Sequence, residues 1–354
     1  MKRVLVRGDG VAAYCCVHLL GQAGIPVALD RPSRTRLPAI MLSETAVSLI
    51  ADVFGHKDLF RDLPRIRSRS VLWGSGTEAV TLPHSAVVVS EQILLDQLRP
   101  LDQLRPLDQL RQLDHLRPSA VPQELPASPE WHVFASRPLP PGSVEERFGS
   151  RIARAWAVDL KDVAGPGCWI ESLGDGWLFL IGNAGGTGWL LSVGSQAGSV
   201  LEQSRLVAKQ IERLGESGGE FPAFPRVIAP LCGIGAEGTR WLACGTAALA
   251  FDPICGDGTA HAVREAILAA AVIRAVSHGA PMDEVFAHYE SRLIAGFQRH
   301  LANSAGFYRT GGGSPWWSAE LAAAERGLAW CAQTMTKFPE FRFRLNGYEL
   351  EAVA

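Results

Sequence analysis

The 354-residue sequence lacks a strong net charge and any long apolar stretch, and both absences exclude classes of function. Its formal net charge is −2 and its basic residues are scattered, which argues against a nucleic-acid partner. The most apolar stretch, "AILAAAVIRAV", is interrupted by Arg274 and is too short to span a bilayer. We therefore expect neither nucleic acid nor a membrane as a partner.

Several common site signatures are also missing. The seven cysteines do not have metal-ligand spacing, and Cys15 and Cys16 are adjacent and so cannot form a CxxC pair. There is no HExxH motif, no nucleophile elbow and no clustered His/Cys set, so we predict no metal site and no hydrolase. The N-terminal apolar run stops after Val6, as in a buried first strand rather than a signal peptide. These features favour a reduced, cytoplasmic protein.

The first informative segment is "RVLVRGDGVAAYCCVHLLGQAGIPVALD", which indicates a strand, a glycine turn, a helix and a second strand. A GxGxxA turn joins the first strand to the helix, and an acid ends the second strand 22 residues after Gly8. This spacing is typical of dinucleotide-binding βαβ units, although glycine turns also occur in ordinary α/β proteins. The predicted cofactor-binding residues here are Gly8, Gly10, Ala12, Ala13, Asp30 and Arg31.

Further along the chain, helices and strands alternate with unusual inserts. Residues 43–54 indicate a helix capped by Ser43 or Thr45, and helices are also predicted near 199–214 and 260–278. Residues 95–118 contain four near-identical hexads. Their first copy indicates a helix end, and the later copies suggest an expansion in a surface connection. A binding role for the repeat remains open. The last 75 residues are predicted to be mainly helical.

A second glycine-rich segment, "CGTAALAFDPICGDGTAHAVREAI", lies about 240 residues after the first. It resembles the GDAAxxxxPxxGxG segment of FAD-dependent aromatic monooxygenases and flavin-dependent halogenases. The matching residues are Gly245, Ala247, Ala248, Pro253, Gly256 and Gly258. The resemblance implies FAD as the cofactor, with this loop behind the isoalloxazine ring. Thr246 is a departure, because the family usually has an aspartate there.

Two other stretches extend the resemblance over residues 1 to about 275. "LSETAVSL" (42–49) is similar to the GEATxPxL segment of halogenases, and "GDGWLFLIGNAGGTGWLLSVG" (174–194) is similar to their GWxWxIP strand and hairpin. Trp177, Phe179 and Trp189 are either substrate contacts or core aromatics. The resemblance adds further implied cofactor contacts, at Ser43, Thr246, Asp252, Pro253, Gly256, Asp257, Gly258 and Thr259.

Departures from the family pattern bear on the reaction. Halogenases depend on a lysine in the strand segment after the second helix, but here that segment has Arg65, Arg67 and Arg69, and the nearest lysine is Lys57. The middle DG motif of monooxygenases is absent, with "VFASRPL" (133–139) as a degraded counterpart. The arginine that usually opens the following helix is replaced near Ser90 or Glu91. The electron source is therefore left open between NAD(P)H and a separate flavin reductase.

Candidates for catalysis are His84, Arg67 and Arg309. His84, at a predicted strand start, is a potential base or donor, although lone histidines are more often structural. Arg309 lies in "NSAGFYRTGGGSPWW", which is equally consistent with an aromatic lid and with a helix break anchored by aromatic residues.

The resemblance implies an FAD-dependent monooxygenase that hydroxylates an aromatic or indole substrate with O₂ through a flavin C4a-hydroperoxide. Three alternatives remain. The first is a flavin-dependent halogenase, disfavoured by the missing lysine. The second is a flavoprotein that modifies a tryptophan of a partner protein during quinone-cofactor maturation, and the third is a degenerate flavin-fold binding module. The partners implied are a small aromatic substrate or a peptide or protein aromatic side chain, O₂, and a flavin reductase.

The expected fold class is α/β, or α+β overall. We expect a discontinuous Rossmann-like FAD-binding domain, an antiparallel sheet domain for the substrate and a C-terminal helical region. The FAD-binding parts are placed at 1–60 and 226–285, and substrate-domain strands at 61–90 and 151–225. Residues 91–150 hold a helix, the hexad insertion and the return to the FAD domain, and 286–354 form the helical region.

Overall fold

The computed structural model describes residues 3–99, 129–140, 142–161, 166–183, 185–194, 201–339 and 342–353. Hexad copies beyond residue 99, and with them most of the predicted insertion, lie outside the described residues. The described elements in chain order are β1 Val4–Arg7, α1 Val11–Gln22, β2 Val27–Asp30, β3 Ile40–Ser43, α2 Glu44–Phe54, β4 Arg65–Leu72, β5 Val80–Val89, α3 Glu91–Leu98, β6 Trp131–Phe134, β7 Val144–Arg147, β8 Ile152–Leu160, β9 Cys168–Leu173, β10 Gly176–Gly182, β11 Thr187–Val193, β12 Ile211–Pro222, β13 Arg226–Ala229, β14 Cys232–Ile234, β15 Arg240–Ala243, α4 Gly245–Ala248, β16 Leu249–Ala250, α5 Gly258–Ser277, α6 Met282–Gly311, α7 Pro315–Met335, β17 Phe343–Asn346 and β18 Glu349–Ala352.

A five-stranded sheet collects strands from distant parts of the chain in the order β14-β15-β6-β1-β2. β1 pairs in parallel with β2 and β6, β6 pairs in parallel with β15, and β14 is antiparallel to β15. α1 packs on α5, where the Cys16 Sγ lies 3.6 Å from the Ala266 carbonyl oxygen. This Rossmann-type unit therefore draws on segments more than 200 residues apart.

An eight-stranded sheet has the order β12-β8-β11-β10-β9-β4-β5-β3 and is antiparallel except for the β4–β9 pair. α6 and α7 pack on it through a buried cluster that includes Trp177, Tyr308 and Trp317. Smaller sheets are formed by β16-β13-β7 and by the β17–β18 hairpin.

The helix boundaries follow their capping residues. The Ser43 Oγ accepts a hydrogen bond from the Ala46 N–H at 3.2 Å, so Ser43 rather than Thr45 caps α2. Ser90 caps α3 in the same way, which confirms that the first hexad ends a helix. The break between α6 and α7 is an anchored turn, because the Trp317 ring fills the space where a side chain on Gly311 would lie.

Two sequence-based expectations were wrong. The helix predicted near 199–214 is, in its described part, a single 3-10 turn at Ala208–Gln210 followed by β12 from Ile211. The Glu171 carboxylate accepts hydrogen bonds from the N–H groups of residues 205–207, and these bonds fold the segment into a turn instead of a helix. The C-terminal hairpin β17–β18 was also not predicted.

In the described part of the chain, none of the helices combines the length and apolar character that a membrane crossing requires.

Candidate functional site

The first glycine turn follows β1 and leads directly into α1. Gly8 has a φ of +156°, and a Cβ on it would lie 2.9 Å from the Cβ of Ala135, so only glycine fits. Gly10 precedes the helix, and no side chain caps its first turn. The amide groups at the start of α1 are thus left for a ligand, as in phosphate-binding helix starts.

The second glycine segment meets the first at the same point. Gly245 has a φ of +54°, and a Cβ there would lie 2.9 Å from the Cβ of Ala12 and 3.0 Å from the Ala135 carbonyl oxygen. Thr246 is exposed, and its Oγ1 lies 3.5 Å from the same carbonyl. Ala135, just after β6, therefore forms the wedge against which both glycine segments pack.

A buried carboxyl group lies beneath this junction. The Glu265 Oε2 accepts a hydrogen bond from the Gly245 N–H at 2.7 Å, and Glu265 is 5% exposed. Burial raises the pKa of Glu265 to about 8, because the charged form is poorly solvated. The carboxyl is therefore largely protonated at neutral pH while it fixes the Gly245 backbone.

The loop that carries "DPICGDG" is shaped by its own acids. The Asp252 Oδ1 accepts the Ile254 N–H at 3.0 Å, which closes a 3-10 turn at Pro253–Cys255, and Gly256 ends that turn with a φ of +66°. The Asp257 side chain does not cap α5; it lies 3.4 Å from the Ser43 Oγ. As at α1, the first amides of α5, from Gly258 and Thr259 onward, have no side-chain cap.

Asp252, predicted as a cofactor contact, is engaged in a buried ion network. Its Oδ2 lies 2.9 Å from Nε and 2.6 Å from Nη2 of Arg151, which also binds Glu320 of α7. The side chains of Arg151 and Asp252 are fully buried. The Asp252 N–H donates to Nε2 of His300 at 2.7 Å, and burial lowers the pKa of His300 to about 3. Asp252 thus ties the loop to β8 and α7.

The residues at the end of β2 lie near the first turn. The Asp30 Oδ2 accepts from Nε of Arg7 at 2.8 Å, and its side chain remains 41% exposed. The Arg31 guanidinium lies over the Tyr14 ring, 5.3 Å from its centroid. Asp30 therefore stays accessible to a ligand hydroxyl beside α1.

Two of the three catalytic candidates come together on the eight-stranded sheet. The pairing of β4 with β5 shifts register between Ile66 and Ser68, which leaves Arg67 opposite His84 and Ser85. The His84 Nε2 is buried and has no hydrogen-bond partner among the described residues. Burial and the nearby Arg69 lower the pKa of His84, so its imidazole is neutral at pH 7. Arg309, by contrast, is exposed on α6 and pairs with Glu325 of α7.

An apolar face of the same sheet lies next to the "DPICGDG" loop. Phe179, Leu191 and Phe221 are half-buried around Trp177, and Ile254 of the loop packs against the same cluster. Trp177 itself is 1% exposed and donates from Nε1 to the Tyr308 hydroxyl at 3.3 Å. Trp177 is therefore a core residue, whereas Phe179 is available to contact a substrate.

The donor set fits a flavin dinucleotide. Two uncapped helix starts meet two glycine turns that have no room for a side chain at Gly8 and Gly245, and an exposed acid stands at the end of β2. Backbone amides suit a pyrophosphate and a flavin carbonyl edge, and a carboxylate suits a ribose. Among the described residues, no group of three or more His, Cys, Asp or Glu side chains could hold a metal ion.

Several site residues escaped the sequence analysis. Ala135 lies at the end of β6, and its position after a buried strand was the available signal. Arg34, Arg36, Arg151 and Glu265 gave no motif signal, because their roles depend on contacts between segments distant in sequence. Glu91 was noted only as a replacement of the family arginine.

Comparison with known proteins gave matches only at the level of structure, because no protein-family model and no curated protein matches the sequence. A peptidyl tryptophan dihydroxylase, QhpG, essential for tryptophylquinone cofactor biogenesis, is similar with a TM-score of 0.71 and 17% identity over 90% of this chain and 78% of that chain. The myxobacterial chondrochloren halogenase CndH, described as a variant of FAD-dependent halogenases, is similar with a TM-score of 0.69 and 16% identity over 96% and 91%. A probable FAD-dependent monooxygenase of Pseudomonas aeruginosa, pqsL, has a TM-score of 0.58 and 13% identity over 94% and 99%. The chain therefore has the fold shared by FAD-dependent monooxygenases and flavin-dependent halogenases.

Proposed function

We propose that this protein is an FAD-dependent monooxygenase that hydroxylates an electron-rich aromatic or indole substrate. The observation that carries the proposal is the meeting of Gly8 and Gly245 on Ala135, which unites two cofactor segments far apart in the sequence. The likeness in fold to FAD-dependent enzymes over at least 90% of the chain supports it. Bound FAD would supply the oxygen-activating chemistry.

The protein's own groups have limited, definable tasks in this proposal. The starts of α1 and α5 would hold the pyrophosphate and the flavin pyrimidine edge, and Asp30 would bind a ribose. Phe179 and Ile254 would hold the substrate ring and exclude water from it. His84, neutral and unpartnered at Nε2, would accept a proton from a substrate hydroxyl or indole nitrogen. NAD(P)H or a separate flavin reductase would provide electrons.

The decisive experiment is reconstitution with FAD followed by turnover. Purified protein should bind FAD with a flavin spectrum, and reduced holoenzyme should add one oxygen atom from ¹⁸O₂ to indole, tryptophan or phenol probes, detected by mass spectrometry. The Gly245→Ala variant is the matched control, because its added Cβ would meet Ala12 at 2.9 Å. Protein that binds no FAD would sink the proposal.

A second candidate is the modification of a tryptophan side chain in a partner protein. Its support is the structural likeness to QhpG. A peptide with one tryptophan, offered beside free tryptophan, separates the two: oxygen incorporation only into the peptide favours the second candidate. Bromide in the same assay tests halogenation, which the described strand β4 disfavours because it carries arginines but no lysine.

A further inference from the structure

A cluster of two acids and two arginines surrounds the first glycine turn. The members of this arginine cluster are Asp9, Arg34, Arg36 and Glu91. Asp9 and Glu91 are 6% and 5% exposed, whereas the Arg34 and Arg36 side chains are 33% and 22% exposed. The carboxylates are therefore the inner groups, and the guanidinium groups form the more accessible side.

The contacts within the cluster hold Arg34 above the start of α1. Its Nη1 donates to the Glu91 Oε2 at 2.9 Å, and its Nη2 donates to the Asp9 carbonyl oxygen at 3.0 Å and also contacts the Glu91 Oε1. Nη2 lies 3.3 Å from the point where a Cβ on Gly10 would stand. Glu91 is itself oriented by the Leu37 N–H, which donates to its Oε2 at 2.9 Å.

Arg36 neutralises the acid inside the glycine turn. Its guanidinium contacts the carboxylate Oδ2 and the carbonyl oxygen of Asp9, while the Asp9 Oδ1 is buried without a hydrogen-bond partner among the described residues. An isolated carboxylate beside a phosphate would repel it. Each acid at this turn is thus matched by one arginine that approaches from the segment after β2.

We propose that Arg34 and Arg36 form the cationic wall of the pyrophosphate site, and that Asp9 and Glu91 hold them there while weakening phosphate binding. The inference rests on the proposed function, since it assigns a charge arrangement to the same cofactor site. It predicts opposite effects from the two sides of one ion pair. Removal of the arginine lowers phosphate affinity, and removal of the acid's charge raises it.

The test uses ADP, which carries the pyrophosphate without the flavin, and measures its affinity by calorimetry. Arg34→Met should weaken ADP about tenfold and reduce the salt dependence of binding, and Glu91→Gln should tighten ADP several-fold. Asp9→Asn is a second acid variant with the same expected sign, in case Glu91→Gln folds poorly. Arg61→Met, which breaks an exposed pair with Asp58, is the control and should change nothing.

Outcomes separate the inference from the proposed function. If Arg34→Met and both acid variants all weaken ADP, the cluster is only a structural support and the inference is overturned. It is also overturned if wild-type protein binds FAD and Arg34→Met binds ADP equally well. Wild-type protein that binds neither ADP nor FAD would instead defeat the proposed function. Lumiflavin, which has no phosphate, should bind all variants alike.

Discussion

Each of the two glycine segments carries an acid paired with an arginine, but the two pairs lie in different environments. At the first segment Asp9 is nearly buried, and its partner Arg36 is 22% exposed on the side of the phosphate site. At the second segment Asp252 and Arg151 are both fully buried, with Glu320 as a third member. The same residue pair can therefore serve ligand electrostatics at one site and rigidity at the other.

The difference follows from what surrounds each pair. Arg36 approaches from a surface segment after β2, so water and a ligand can both reach it. Arg151 begins β8 and is enclosed by α6 and α7, with its guanidinium 4.5 Å from the centroid of the Tyr308 ring. A buried charge without its partner is costly, whereas a partly exposed one is screened by water. Loss of the buried arginine should thus appear in stability, and loss of the exposed ones in ligand affinity.

The largest expected effect comes from the junction that joins both segments. Gly245→Ala adds a Cβ 2.9 Å from that of Ala12 at a φ of +54°, so the two segments must separate. We expect FAD affinity, measured by flavin fluorescence, to fall by about a hundredfold or more, which corresponds to about 2.7 kcal/mol of binding free energy.

Gly24→Ala is the matched control for backbone strain. Gly24 has a similar φ of +70°, but a Cβ on it meets nothing within 4 Å. This variant should lose about 1 kcal/mol of unfolding free energy and keep its FAD affinity. Equal losses of FAD affinity in both variants would contradict the wedge role of Ala135.

The second effect tests the buried network. Arg151→Met leaves Asp252 and Glu320 as two buried carboxylates without a cation, and the free energy of unfolding should fall by about 3–5 kcal/mol. Urea denaturation measures this loss. Arg213→Met, which breaks an exposed pair with Asp159, should cost less than about 1 kcal/mol. Similar losses in the two variants would remove the contrast between the buried and exposed networks.

How far the sequence predicted the molecule depends on the range of the interaction. The βαβ unit was predicted correctly, because the GxGxxA turn, the helix and Asp30 lie within 30 residues and follow local rules. The Ser43 cap of α2 was also predicted, as one of two options, since capping is local. The discontinuous Rossmann-type sheet was predicted only through the second glycine segment and the family resemblance.

Interactions between distant segments were not predictable. The turn at 204–207 is set by Glu171, a residue about 35 positions earlier, so its own sequence indicated a helix. Asp252 matched the flavin pattern, yet Arg151, 101 positions away, determines where its side chain lies. The cofactor contacts of the individual residues, and the catalytic roles of His84, Arg67 and Arg309, stay predictions.

The third effect depends on pH and concerns the carboxyl group beneath Gly245. Burial raises the pKa of Glu265 from 4.5 to about 8, so the folded state keeps a proton that the unfolded state loses. This contribution to stability is fully present below about pH 4.5, declines as pH rises towards 8, and is lost above it. Each unit of the shift corresponds to about 1.4 kcal/mol.

Glu265→Gln mimics the protonated carboxyl and can still accept the Gly245 N–H. Its melting temperature should therefore decline less than that of the wild type between pH 5 and 8. The exposed Glu78→Gln serves as the control and should follow the wild-type profile. Parallel pH profiles for Glu265→Gln and the wild type would show that Glu265 is ionised in the folded protein.

The smallest effect separates the cap of α2 from its link to the second segment. Ser43→Ala removes the hydrogen bond to the Ala46 N–H and the contact with Asp257, and should cost about 1 kcal/mol of unfolding free energy. FAD affinity should also fall a few-fold, because Asp257 loses a partner that orients the loop before α5. Thr45→Ala, at an exposed position in the first turn of α2, should change neither quantity. If Ser43→Ala alters stability but leaves FAD affinity unchanged, Ser43 belongs to the helix alone and the second segment is positioned by Arg151 and Glu265.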